Sequence, residues 1–102
     1  MIAYGRQSID SEDIVAVADV LGGDYLTTGP KVVEFENALA QKCGVKYAVA
    51  LSNGTAALHI GAKTIIKAGD KVLTTPISFV ATANSILYQN AKPIFVDVDD
   101  SA

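Results

Sequence analysis

The sequence has one cysteine, Cys43, so no disulfide can form within the chain and a reducing compartment is expected. Cys43 itself reads as a small apolar residue on a helix face. Charge is sparse. Only 19% of the residues are charged, the formal net charge is −3, and the lysines and Arg6 never cluster. That excludes the basic face a nucleic-acid binder presents. No apolar run approaches the roughly 20 residues of a spanning helix. The opening stretch MIAYGRQSIDSED has no cationic region leading into an apolar core. Neither a membrane segment nor a signal peptide is expected, and the reading is a cytoplasmic protein. The single histidine, His59, has no cysteine or carboxylate at ligand spacing and reads as structural. Asp97, Asp99 and Asp100 read as a solvated strand end, and no metal is expected. The patterns G-x-G-x-x-G, G-x-x-x-x-G-K-[ST] and G-x-S-x-G are absent, which removes the usual dinucleotide, P-loop and α/β-hydrolase readings. There is no internal repeat and no low-complexity linker.

What is present is apolar. Half of the 102 residues are hydrophobic. A small independent domain has much surface and usually needs more polar cover, so the composition reads as a piece of a larger fold. Asp10 or Ser11 can cap a first helix, with Glu12 and Asp13 in its first turn and Ile14, Val17, Ala18 and Leu21 forming a stripe to bury. Gly22 and Gly23 end it. A hydroxyl-rich loop, DYLTTG, leads to Pro30 at the start of a second helix. Val32, Phe35, Leu39 and Cys43 lie near one face of that helix, and Gly44 closes it.

From Tyr47 onward the pattern changes. Residues 47–51 (YAVAL) are short and β-rich, followed by the turn Ser52-Asn53-Gly54-Thr55 and a helix expected to bury Ala57, Leu58, Gly61, Ala62 and Ile65. A second strand is expected over 71–75. A helix follows from Phe79 to about Tyr88, capped by Ser78 and ended by a left-handed Asn90, and then a third strand over 94–96. Strands joined by helices argue for an α/β fold with a mainly parallel sheet. The organisation is thus a helical segment, 1–46, followed by the start of an incomplete α/β domain, 47–102. Ligands in such sheets sit at the carboxyl ends of the strands. Those ends are Ser52–Thr55 and Pro76–Phe79.

A tight small-residue turn leading into a helix leaves backbone N–H groups unpaired beside the positive end of the helix dipole, a fit for phosphate. The alternative is a plain helix cap by Ser52 or Asn53. Phe79, at a helix start after a strand end, can lie over a flat ligand or pack into a core.

Three stretches, T-G-P, S-N-G-T-A-A-L, and T-P-I-S-F-V-A-T-A-N followed by F-V-D-V-D, resemble the N-terminal part of the DegT/StrS family of sugar aminotransferases. These are fold-type-I enzymes that use pyridoxal 5′-phosphate on nucleotide-linked keto sugars. The resemblance runs from Tyr4 to Asp99. The P-I-S-F-V-A-T-A-N wording is most similar to the branch that aminates the C4 keto group of a UDP-linked 6-deoxy sugar on the way to pseudaminic acid. The resemblance implies that Thr55 and Ala56 hold the cofactor phosphate and that Phe79 stacks on its ring. It implies that Tyr4, Asp24, Tyr25, Leu26, Thr27 and Gly54 line the sugar-nucleotide site. Glutamate as amino donor and a homodimer are implied for the complete protein.

None of the seven lysines (Lys31, Lys42, Lys46, Lys63, Lys67, Lys71, Lys92) matches the motif of the family's cofactor-bearing lysine. No catalytic residue is therefore expected in this chain, which by itself should lack transaminase activity. A lysine-less sugar dehydratase of the same family, or a non-catalytic phosphate-binding module, would share this region.

Overall fold

The computed structural model describes residues 5–99. They form, in order, helix α1 (Ser11–Leu21), helix α2 (Pro30–Cys43), helix α3 (Gly54–Ile65), strand β1 (Lys71–Thr74), helix α4 (Ala81–Leu87) and strand β2 (Lys92–Phe95). Internal contacts divide the chain into two units, the first ending at Ala50 and the second beginning at Leu51.

In the first unit each helix starts and stops for a local reason. The Asp10 carboxylate accepts the Glu12 and Asp13 amides at 2.9 and 3.1 Å, and Asp13 reaches back to the Asp10 amide at 3.1 Å. This reciprocal box satisfies donors that the first turn of α1 cannot. Pro30 opens α2, where its missing N–H costs nothing. Gly44 ends it in the left-handed region, φ 66°, and the Val45 amide reaches the Ala40 carbonyl at 3.0 Å.

The stripes expected to be buried are not covered here. Ile14, Val17 and Leu21 of α1 and Val32, Phe35, Leu39 and Cys43 of α2 are exposed, and Ala40 is the buried residue of α2 among those described. Periodicity reports which face a helix can bury, not whether a neighbour is present to bury it. Residues 47–51, expected as a strand, are likewise not paired into a sheet. A strand is defined by its ladder, and among the described residues the hydrogen bond made there is from the Ala50 amide to Glu36 Oε1 on α2, at 2.7 Å.

In the second unit β1 and β2 pair in parallel, with Lys71 opposite Lys92 and Thr74 opposite Phe95. The crossover helix α4 packs on both strands and on α3. Its inward face is Ala81, Ser85 and Ile86, joined by Ala62 of α3 and by Ala91. Small side chains let the helix backbones approach closely. Asn90 turns left-handed at φ 56° as expected, and its carbonyl accepts the Gly69 amide at 2.9 Å. The turn that starts β1 is thereby tied to the turn that starts β2.

The buried face of α3 differs from the expected one. Ala62 is buried, while Leu58 and Ile65 are exposed; the half-buried residues are Thr55, Ala56 and His59. The face used runs Thr55, His59, Ala62, and the His59 ring lies 5.0 Å from that of Tyr88, tilted by 60°. The face that α3 turns inward is thus not the one with the larger apolar residues.

This packing makes a differential prediction. Ile86 is 4% exposed and Ile65 77% exposed, so in urea denaturation Ile86→Ala is expected to cost about 2–4 kcal/mol. Ile65→Ala in the same chain should stay within about 0.5 kcal/mol.

Candidate functional site

The start of α3 resolves the choice between cap and anion cup by showing features of both. Asn53 sits in extended backbone, and its Oδ1 accepts the Ala56 amide at 2.8 Å. Asn53 therefore caps the helix. The Gly54 and Thr55 amides, one and two residues into the helix, have no acceptor among the described residues. The Thr55 hydroxyl makes no bond there either, and Ser52 offers its own hydroxyl, which accepts from Asn53 Nδ2 at 3.2 Å. An anion would meet two free amides, and would share or replace the Asn53 bond at Ala56. No acidic residue lies in the first turn of α3, whereas α1 carries Glu12 and Asp13 behind an aspartate cap. The dipole end of α1 is thus already neutralised by carboxylates and that of α3 is not.

Gly54 does not adopt a left-handed backbone, and a Cβ built on it would meet nothing within 4 Å. Nothing inside the described chain requires glycine at this position. Its value lies on the outer side, where the backbone can be approached closely.

The second candidate is Phe79. The sequence expectation of a helix starting there under a Ser78 cap is corrected: α4 begins at Ala81, and Val80 precedes it already in helical conformation with no side-chain cap. A side-chain cap needs extended backbone at the capping residue, and here the chain enters the helix through a turn, with the Thr82 amide on the Phe79 carbonyl at 3.0 Å. Ser78 instead shares a hydrogen bond with Thr82, Oγ to Oγ1, at 3.0 Å. Phe79 is 74% exposed. It is not a core residue in this structure. It lines a cleft of about 200 Å³ with Thr75, Pro76, Ser78, Thr82 and Phe95, at the carboxyl ends of β1 and β2. Phe95 was not anticipated from sequence; its position at the end of the neighbouring strand was the available signal.

In the first unit, Asp24 and Tyr25 line a cavity of about 180 Å³ with Asp19, Val20, Pro30 and Lys31. Tyr25 and Leu26 are exposed. Thr28 is left-handed at φ 50°, a strained conformation for a β-branched residue. Its hydroxyl donates to the Thr27 carbonyl at 2.8 Å. A Cβ on Gly29 would fall 2.8 Å from Tyr25 Cβ, so the glycine of the T-G-P element is what lets the loop close on itself. Lys31 is held above its ordinary pKa by its hydrogen bond to Glu34, by the Glu34 charge and by Asp19. Tyr4 lies outside the described residues. Among the described residues no group of three histidines, cysteines or carboxylates could hold a metal, and no helix is long and apolar enough to cross a membrane.

Whether a phosphate-bearing flat cofactor suits these residues can be judged from the donors alone. Free amides and a free hydroxyl at an uncompensated helix start suit its phosphate, and an exposed aromatic at a strand end suits its ring. The residues fit.

Comparison with known proteins identifies the family. A sequence profile of the DegT/DnrJ/EryC1/StrS aminotransferase family matches residues 7–102. The chain is 48% identical over 99 residues to a Campylobacter jejuni UDP-4-amino-4,6-dideoxy-N-acetyl-beta-L-altrosamine transaminase, covering 96% of this chain and 26% of that protein. It is 45% identical over 95 residues to the Shewanella sediminis UDP-4-amino-4-deoxy-L-arabinose–oxoglutarate aminotransferase, covering 92% and 24%. Among solved structures it superposes on Helicobacter pylori PseC, an aminotransferase involved in pseudaminic acid biosynthesis, with a TM-score of 0.86. That match has 37% identity and covers 95% of this chain and 27% of the other. The chain thus spans about a quarter of the length of the relatives it matches.

Gly54→Ala separates fold from site. Alanine is the better helix former, so the substitution should leave stability unchanged or raise it by up to about 1 kcal/mol in thermal unfolding. Inorganic phosphate or a phosphate-bearing ligand should bind less tightly, measured by calorimetry.

Proposed function

The chain belongs to the DegT/DnrJ/EryC1/StrS aminotransferase family, with an α/β fold that is the N-terminal part of a fold-type-I transferase large domain. From that premise we propose that the full-length polypeptide carrying this sequence is a pyridoxal 5′-phosphate-dependent sugar-nucleotide aminotransferase. It transfers an amino group from glutamate to the C4 keto group of a UDP-linked 6-deoxy sugar. The observation that carries the substrate reading is the 48% identity, across 96% of the chain, to an altrosamine transaminase. Glutamate is supported by a relative named for oxoglutarate, the keto form of that amino acid. The cofactor is supported by a Streptococcus pneumoniae structural neighbour, 28% identical with a TM-score of 0.86, solved in PLP and PMP forms. A homodimer and a cytoplasmic location belong to the same reading.

On this reading the residues of this chain bind and orient. The Thr55 amide and hydroxyl, with the Ala56 amide, take the cofactor phosphate. Phe79 covers one face of its ring, and Tyr4, Asp24, Tyr25, Leu26, Thr27 and Gly54 are each proposed as contacts of the sugar nucleotide. When bound, the cofactor supplies an electron sink for breaking and making bonds at the amine-bearing carbon. Fixing the phosphate and the ring plane selects which bond is aligned with that sink. The covalent attachment and proton transfers require a lysine that none of the seven here supplies.

Two measurements test the reading. Titrating the full-length polypeptide with pyridoxal 5′-phosphate should raise a long-wavelength absorbance band that bleaches on adding glutamate; absence of the band overturns the aminotransferase reading. The 102-residue chain alone should turn over no keto-sugar nucleotide. Turnover by that chain would place a catalytic lysine among the seven present.

A further inference from the structure

The cleft that Phe79 lines holds a hydroxyl network to which neither the family match nor the proposed reaction gives a role. Ser78 Oγ and Thr82 Oγ1 are 3.0 Å apart. Thr82 is in turn fixed from below, because its carbonyl accepts the hydroxyl of Ser85 at 2.8 Å. Ser85 is 6% exposed and lies on the inward face of α4. One side-chain pair therefore joins α4 to the residue that precedes Phe79, and the buried Ser85 adds a bond within the helix to the Thr82 carbonyl. The Thr82 amide on the Phe79 carbonyl, at 3.0 Å, closes the same turn from the other side of the ring-bearing residue, and the Ile77 amide on Thr75 Oγ1, at 3.2 Å, closes the turn before it.

This matters because Phe79 is exposed and has little packing of its own to orient it. An aromatic ring on a mobile turn loses conformational freedom when it stacks on a ligand, and that loss weakens binding. A ring whose backbone is already held on both flanks loses less. From these contacts we infer that the Ser78–Thr82 pair is a positioning element: it fixes the turn that carries Phe79, and so where the ring stands at the cleft, before any flat ligand arrives. The consequence for cofactor affinity rests on the proposed aminotransferase reading; the ordering of the ring does not.

The hydrogen bond is removed with least change of shape by Thr82→Val, and restored in kind by Thr82→Ser. In the full-length polypeptide with isotopically labelled phenylalanine, the Phe79 ring resonances are assigned by their loss in Phe79→Leu. The expected result is that Thr82→Val averages or broadens those resonances and Thr82→Ser returns them. Unchanged Phe79 resonances in Thr82→Val overturn the inference, whether or not the cofactor binds. In parallel, pyridoxal 5′-phosphate affinity should fall about three- to tenfold in Thr82→Val and recover in Thr82→Ser, the scale of one lost hydrogen bond. An unaltered affinity in Thr82→Val, with Phe79→Ala clearly weakened, also overturns it. A parent protein that takes up no cofactor counts against the aminotransferase reading instead, and the ring resonances then decide the positioning role.

Discussion

The second half of the chain depends on how closely α4 can approach its neighbours. Its inward side chains are Ala81, Ser85 and Ile86, and the residue facing them from α3 is Ala62. Larger groups at these places would separate the helices from each other and from the two strands, because interiors at crystal-like density have no slack. Ser85 can be buried only because its hydroxyl has a carbonyl partner in the preceding turn. Thr82, whose carbonyl takes that bond, shares its own hydroxyl with Ser78 beside Phe79. Core packing and the exposed ring are thus linked through one residue.

The helix starts carry a second constraint, this one electrostatic. Two helices of similar length begin with opposite treatments of the same physical problem. At α1 the unpaired amides and the dipole end meet the carboxylates of Asp10 and Asp13, with Glu12 adding charge. At α3 a neutral asparagine takes one amide and leaves two. An acidic cap at α3 would have been the more stabilising choice for the helix alone. The neutral cap leaves that stabilisation unused and two amides unpaired among the described residues, a local departure from the most stable sequence.

How much of this was legible in the sequence follows from what each signal measures. Caps and stops were readable because they are local: Asp10, Pro30, Gly44 and Asn90 act on bonds within a few residues, and each sits where its chemistry requires. The unpaired amides at the start of α3 were readable for the same reason. Burial was not. The stripe Ile14, Val17, Leu21 has the right period, yet all three lie open, since period says nothing about the partner. The strand expected at 47–51 failed on the same ground, because a ladder is a property of two segments. The Ser78–Thr82 bond was missed for a narrower reason. Ser78 reads as a cap from its position after a proline, and only the helical conformation of Val80 shows that the helix begins later.

The chain spans about a quarter of the length of its relatives, and on the proposed reading what it contributes are groups that hold: backbone amides, hydroxyls and an aromatic face. Such groups act by position, and position comes from short-range constraints that a strand, a turn and two helices can supply locally. Reactivity asks for something different. A lysine that must lose its proton and form a covalent bond needs a desolvated pocket to shift its pKa. Lys31 has surroundings of the contrary kind, exposed and paired with Glu34, which keep it charged. A segment whose apolar faces are still open to water offers its lysines solvent, not burial. On physical grounds, then, the holding half of such a site can be legible and locally formed in a stretch where the reacting half is not.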